Sequence, residues 1–219
     1  MYVVTYKKDP ENEMVVEPFL EGAQFARNLY LDLHDLMTKP PVQRLLLDRP
    51  PMPAGYQPMK VLVLSLNGTL IHCEYKFGVG FEILKRPGLS TFLARMARNY
   101  ELVIFGDQDQ GFIHEVSEAL DPQMMMIQGR LGRESTILDG QKYIKDFSYL
   151  GRPIKEVIYL DFSDELVPHH KANTIILPEW NGDMDDRALI DLIPFLESLA
   201  NKPVDVRQEI KRFGNTNTA

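Results

Sequence analysis

The chain of 219 residues has one cysteine, one tryptophan and no surplus of positive charge. A lone Cys73 excludes an intrachain disulfide and a cysteine-based zinc cluster, and leaves a small, mostly buried side chain as its expected role. Lys and Arg number 24 against 31 Asp and Glu, a formal net charge of −7. Nucleic-acid affinity rests on clustered cations that displace counterions from phosphates, so this balance points away from nucleic acid and toward basic partners. No apolar run approaches the roughly 18 residues that cross a bilayer, so membrane contact is expected to be peripheral and made through partners. The N-terminal stretch carries Asp9, Glu11, Glu13 and Glu17, unlike an Arg-rich, acid-poor transit peptide, and it lacks the apolar stretch of a secretory signal. What is present, 44% hydrophobic and 25% charged residues, is the composition of a globular chain with a sizeable core.

Residues 1–58 read as an N-terminal extension. Phe19, Ala23, Ala26, Tyr30 and Leu33 recur at spacings of three and four, which predicts a helix from Pro18 to Met37. Lys39-Pro40-Pro41 and Arg49-Pro50-Pro51-Met52-Pro53 follow, where fixed φ and missing N–H donors favour an extended linker along the domain surface. Through residues 59–213 strands and helices alternate, as in a parallel sheet covered on both faces, and 214–219 is a tail. Strands are expected at Val61–Leu66, Glu101–Phe105, Val157–Asp161 and Thr174–Leu177. His72–Phe77 and Phe81–Lys85 flank Gly78-Val79-Gly80 and read as a β-hairpin; those glycines are too few for a nucleotide-binding loop.

One helix opens at Pro87 and carries Leu89, Phe92, Leu93 and Met96; a second carries Ile113, Val116 and Leu120 and stops before Asp121-Pro122. The last runs from Asp185 to Ala200, buries Leu189, Leu192, Ile193, Leu196 and Leu199, and is expected to kink at Pro194. Met124-Met125-Met126 is expected as a buried strand and Ile137 to Gly140 as a turn. His169-His170 is expected in a surface loop, since no third ligand stands at metal spacing; no metal or other cofactor is expected.

The segment Val61 to His72 couples a buried apolar strand to a Gly-containing loop ending in Thr69. Enzymes that attack phosphate esters with Asp-x-Asp-x-Thr place a nucleophile and an acid/base on this loop. Here the two Asp positions are Ser65 and Asn67. Ser65 offers no charge to magnesium, and Asn67 cannot exchange a proton near neutral pH. Losing one member of such a unit costs orders of magnitude in rate.

In order and spacing, residues 56–213 resemble the FCP/SCP-type phosphatase domain, a branch of the haloacid-dehalogenase-like fold. The resemblance implies a three-layer α/β/α architecture with a mostly parallel sheet and a protruding hairpin. It also implies a hydroxyl where Phe105-Gly106-Asp107 has Gly106, a phosphate-holding lysine at Lys145, a metal-proximal acid at Asp161 and a further acid or amide where Phe162 stands. Thr69, Lys145 and Asp161 match the pattern; Ser65, Asn67, Gly106 and Phe162 do not. The matching residues are expected to be structural, Thr69 bonding loop N–H groups and Lys145 compensating Asp161. No catalytic residue is therefore expected.

A narrower resemblance rests on Gly55-Tyr56-Gln57-Pro58, Lys85-Arg86-Pro87-Gly88, Pro178-Glu179-Trp180-Asn181-Gly182, Asp185-Asp186-Arg187, Leu192-Ile193-Pro194-Phe195-Leu196 and Val204-Asp205-Val206-Arg207. These are similar to the presequence-receptor family of the mitochondrial inner-membrane translocase. That implies a non-catalytic protein, associated with the inner membrane on its intermembrane-space side, which binds basic presequences and the translocase channel subunit. The family carries a membrane span upstream, which these residues do not show, so attachment through partners is expected. Glu74, Tyr75, Phe77, Phe81 and Glu82 of the hairpin, with Asp183, Asp185 and Asp186 from an acid-rich stretch, are the implied contact residues. Two alternatives stay open: an accessory subunit of another large mitochondrial assembly that has recruited the fold, and a residual phosphatase.

Overall fold

Strict alternation of apolar side chains along the core strands sends them to two faces of one sheet. The computed structural model describes residues 24–31, 44–51, 53, 55, 57–77, 80–139 and 142–217. Strands β1 (Lys60–Leu64), β4 (Tyr100–Phe105), β5 (Ile127–Leu131), β8 (Val157–Asp161) and β9 (Thr174–Ile176) lie in the order β5-β4-β1-β8-β9. Every neighbouring pair is parallel, with Val61 opposite both Glu101 and Val157. The expected α/β architecture with a central parallel sheet is present.

Leu62, Leu64, Leu102, Ile104, Ile158 and Leu160 face one core, which is closed by helices α2 (Leu89–Met96), α3 (Gln110–Leu120), α4 (Ala188–Ala200) and α5 (Val206–Asn217). Val61, Val63, Val103, Phe105, Val157 and Tyr159 face the other. Among the described residues that second face is covered by Leu46, Val167 and a 3-10 turn at Phe147–Leu150 rather than by a long helix. Two antiparallel pairs stand outside the sheet: β2 (Ile71–Lys76) with β3 (Gly80–Lys85), and β6 (Ile137–Asp139) with β7 (Lys142–Ile144).

The chain divides into compact units at 1–39 and 40–219. In the first, α1 (24–31) is helical and every residue is exposed, including Phe25 and Tyr30, so this part of the expected stripe is not buried. The rest of the Pro18–Met37 helix, Lys39-Pro40-Pro41, Met52, Tyr56, Gly78, Val79, Gly140 and 218–219 fall outside the described residues. Part of the expected extension belongs to the second unit: Leu46 is buried against the sheet, and Arg49 and Arg152 clasp Glu101 at 2.5 and 2.7 Å. Burial alone would raise the Glu101 pKa, but hydrogen bonds from Arg152 and Arg49 outweigh it and hold the carboxyl below its ordinary value.

Several expectations are corrected. Met124 and Met125 are exposed, and the strand begins at Ile127, because the Asp121 carboxylate accepts the N–H groups of Met125, Met126 and Ile127 that a strand would have used. The Ile137 turn is one arm of the β6–β7 hairpin. The last predicted helix starts at Ala188, where Asp186 accepts the Ala188 N–H, and has Pro194 inside it. Beyond it, α5 continues to Asn217, past the expected domain end. Cys73 is only half-buried. No helix among the described residues is long and apolar enough to cross a membrane.

Gly129 lets Leu46 in: a Cβ there would stand 2.7 Å from Leu46 Cδ2. Leu46→Ala is expected to lower unfolding free energy by about 2–4 kcal/mol, read as a shift in denaturant midpoint. An unchanged midpoint would show that residues 44–50 lie outside the cooperative unit.

Candidate functional site

The chain leaves β1 toward β4 and β5 on one side, and leaves β8 toward β9 on the other. Their carboxyl ends therefore open the crevice where parallel α/β sheets bind ligands. A cavity of about 260 Å³ sits there, lined by Ser65, Asn67, Asp107, Asp161, Phe162 and Glu165, among others. The loop after β1 is a tight turn in which the Leu66 carbonyl accepts from the N–H groups of Thr69, Leu70 and Ile71, with Gly68 at φ 74°. Trp180 N–H closes it from outside by donating to the Gly68 carbonyl.

Asp161 is 3% exposed, and each of its oxygens is engaged. Thr69 Oγ1 donates to Oδ1 at 2.9 Å, Phe162 N–H donates to Oδ1 at 2.7 Å, and the Tyr159 hydroxyl donates to Oδ2. Lys145 is 1% exposed and donates to that same hydroxyl at 2.8 Å. So Lys145 and Asp161 offset each other by charge attraction and through the shared Tyr159 hydroxyl, while Thr69 bonds the carboxylate rather than loop N–H groups. Burial pulls the Lys145 pKa down against the pull of Asp161, and burial next to Asp161 pushes the Tyr159 hydroxyl well up, so it stays protonated and donates.

The substituted positions have structural partners too. Asn67 Oδ1 accepts the Cys73 N–H at 3.0 Å, tying the loop to the hairpin. Ser65 is nearly buried beneath the cavity. The Phe162 ring lies over Gly68, where a Cβ would meet it at 2.8 Å. A Cβ at Gly106 would stand 2.2 Å from Ile113 Cδ1, so a serine hydroxyl cannot be placed there while Ile113 keeps its position.

Residues 60–207 match the family described as NLI interacting factor-like phosphatase. The chain belongs to that family. It is 42% identical over 153 residues to the mitochondrial import inner membrane translocase subunit tim50 of Emericella nidulans, across 69% of this chain and 29% of the relative. TIM50 of Arabidopsis thaliana is 33% identical over 205 residues, 89% of this chain and 53% of the relative. TIM50-B of Drosophila melanogaster is 30% identical over 177 residues, 81% and 43% respectively. The chain thus spans between 29% and 53% of the length of these relatives.

Of the implied contact residues, Asp186 is not free: Arg86, 1% exposed, grips it through Nε at 2.8 Å and Nη2 at 2.7 Å. Hydrogen bonding to Arg86 holds its carboxyl below the ordinary range. Asp183 and Asp185 are exposed, in a loop pinned by the Trp180 indole N–H to the Asp183 carbonyl. That loop meets the hairpin where His72 stands edge-on to Trp180 and Leu84 lies 3.6 Å from the Cβ direction of Gly182. Glu74 pairs with Glu82 one step further along the face that carries His72 and Leu84, so these acids and Asp183 and Asp185 border one surface. Phe77 is 97% exposed at the hairpin tip; the side chains of Tyr75 and Phe81 fall outside the described residues, though their backbones are paired.

Sequence reasoning missed Tyr159 and the role of Arg86. A tyrosine in an otherwise aliphatic buried strand, and an arginine between a hairpin and Pro87-Gly88, were the available signals. His170 is also corrected: it is buried, stacked on Phe147, and its Nε2 lies 2.8 Å from Asp146 Oδ1, because a carboxylate gives its ring N–H a partner inside the fold.

Two measurements follow from this geometry. Gly106→Ser is expected to cost about 1–3 kcal/mol by overpacking, and Ile113→Val, which removes the opposing Cδ1, is expected to recover part of that. Strict additivity in this cycle would refute the steric account. The hydrogen bond from His170 holds Asp146 down to about 2 from an ordinary 3.8. A depressed carboxyl contributes its full stability above 3.8 and loses it as pH falls through about 2, so Asp146→Asn is expected to flatten the loss of stability across that window. Parallel stability profiles for the two proteins would remove the assignment.

Proposed function

We propose that this chain is a binding domain of the mitochondrial inner-membrane import machinery, working on the intermembrane-space side, and not a phosphatase. It receives basic, amphipathic presequences on the acidic surface between the β2–β3 hairpin and the 180–186 loop, and passes them to a channel subunit. The likeness to import subunits of a fungus, a plant and a fly supports the assignment to that machinery. The observation that carries the non-catalytic reading is the Asp161 carboxylate, committed to Thr69, Tyr159 and Phe162 in a pocket whose nucleophile position is Ser65. At Ser65 and Asn67 the two carboxylates that an Asp-x-Asp-x-Thr enzyme uses as nucleophile and acid/base are replaced by neutral side chains.

Acidic surfaces steer cationic ligands through long-range attraction, which salt screens. A labelled presequence peptide is expected to bind more weakly as salt rises, and Glu74→Lys with Glu82→Lys or Tyr75→Ala with Phe77→Ala to reduce binding further. The wild type and Ser65→Asp with Asn67→Asp are both expected to show no magnesium-dependent phosphatase turnover, since Gly106 and Phe162 are also changed. A stable stoichiometric complex with another mitochondrial assembly, together with no presequence affinity, would favour the accessory-subunit reading instead. Turnover by the wild type would overturn the non-catalytic one.

A further inference from the structure

The sheet has two edges, and among the described residues the chain closes only one of them. At β5 the Gln110 side chain donates to the Arg130 carbonyl at 2.9 Å and accepts the Gly132 N–H at 2.8 Å, while Asp121 accepts the Ile127 N–H. β9 forms the opposite edge. Its parallel register on β8, with the Leu177 N–H on the Asp161 carbonyl, turns the Ile175 backbone inward and the backbones of Thr174 and Ile176 outward. The Thr174 N–H donates to the Lys171 carbonyl. The Thr174 carbonyl and both backbone groups of Ile176 have no hydrogen-bond partner among the described residues, and Ile176 is 52% exposed.

We propose that β9 pairs antiparallel with β9 of a second copy of this chain, joining two sheets edge to edge across a two-fold axis. The proposal does not depend on the preceding reading.

The free backbone groups set the register. Opposing residues of an antiparallel pair exchange N–H and carbonyl groups, so the Ile176 N–H of each copy meets the Thr174 carbonyl of the other, with Ile175 on the axis. That register also matches charge. Lys171 before the strand and Glu179 after it are both exposed and stand equally far from Ile175 in the sequence. Antiparallel pairing brings the Lys171 end of each copy to the Glu179 end of the other, so opposite charges meet twice. Lys171 has Asp164 at 3.1 Å, but both side chains are exposed, and such a pair yields to a second carboxylate at little cost.

Apolar surface supplies what two hydrogen bonds lack. A groove of about 380 Å³ runs beside the edge, lined by Ile175, Ile176, Leu177, Ala188, Leu192 and Phe213, among others. The two-fold axis sets the same apolar lining of the second copy against it, and burial of both favours association.

The test is sedimentation of the whole chain. The wild type is expected to pass from monomer toward dimer between about 1 and about 100 µM, with the Ile176 amide exchanging with deuterium more slowly at the higher concentration. Ile176→Pro removes the outward N–H at an edge position, where proline breaks no ladder bond, and is expected to dimerise at least about tenfold more weakly. Circular dichroism verifies folding, and Ile176→Lys, which keeps the N–H but sets like charges across the axis, is expected to weaken the dimer as well. Lys171→Glu and Glu179→Lys are each expected to weaken it, and the two together to restore affinity to within about threefold of wild type. A chain that stays monomeric at about 100 µM overturns the proposal and gives the edge to a strand of another protein. A dimer whose affinity both Ile176 variants leave within about twofold of wild type overturns the β9 interface. Failure of the double exchange to recover what the single exchanges lose overturns the register.

Discussion

Arg86 stands where three segments meet, and its guanidinium bonds to all of them. It donates to the Thr69 carbonyl at 2.9 Å, to the Pro178 carbonyl at 3.0 Å and bidentately to Asp186. The first fixes the loop after β1, the second the chain leaving β9, the third the entry to α4. A planar fork with five donors satisfies these acceptors together, whereas a lysine ammonium has neither the reach nor the geometry. Leaving one partner of such a pair alone costs about 3–5 kcal/mol. Asp186 is thereby held in the frame behind the surface on which Asp183 and Asp185 are exposed.

Buried charge also accounts for the residues of a phosphatase-like pocket that this chain keeps. Asp161 organises two loops through Thr69 and Phe162, and Tyr159 carries part of the Lys145 charge to it across a buried hydroxyl. Removing either charged end would leave the other buried with its compensation broken. By contrast, Ser65 and Asn67 stand at positions where a neutral side chain leaves no orphan charge, and Asn67 still bonds the Cys73 N–H. Asp161, Lys145 and Ser65 are all buried, and the two charges among them meet across the Tyr159 hydroxyl.

Elements whose apolar pattern is periodic were legible in the sequence. β1, β4, β8 and the buried stripes of α2 and α4 follow directly from alternation and from spacings of three and four. β5 was not, because Gln128, Gly129 and Arg130 interrupt its apolar pattern: Gly129 admits Leu46, and Gln128 accepts the Leu102 N–H through its side chain. The Met124 turn was hidden because its cause is a side chain, Asp121, that replaces backbone partners. The motif around Arg86 was visible, but not that Arg86 would sequester Asp186 from the surface. His170 failed for a related reason, since its partner Asp146 lies 24 positions away in sequence.

Charge is distributed so that net values mislead. An overall −7 suggests a uniformly acidic face, yet Arg133, Lys142 and Lys145 gather at one hairpin while Glu74, Glu82, Asp183 and Asp185 border another. Both hairpins follow the carboxyl ends of sheet strands, and Asp107 and Glu165 line both the crevice and the cavity beside the β6–β7 hairpin. An Asp-x-Asp-x-Thr centre itself sets carboxylates beside a lysine, so neighbouring charges of opposite sign, as at Asp161 and Lys145, belong to the frame of such a pocket and are held by their burial together.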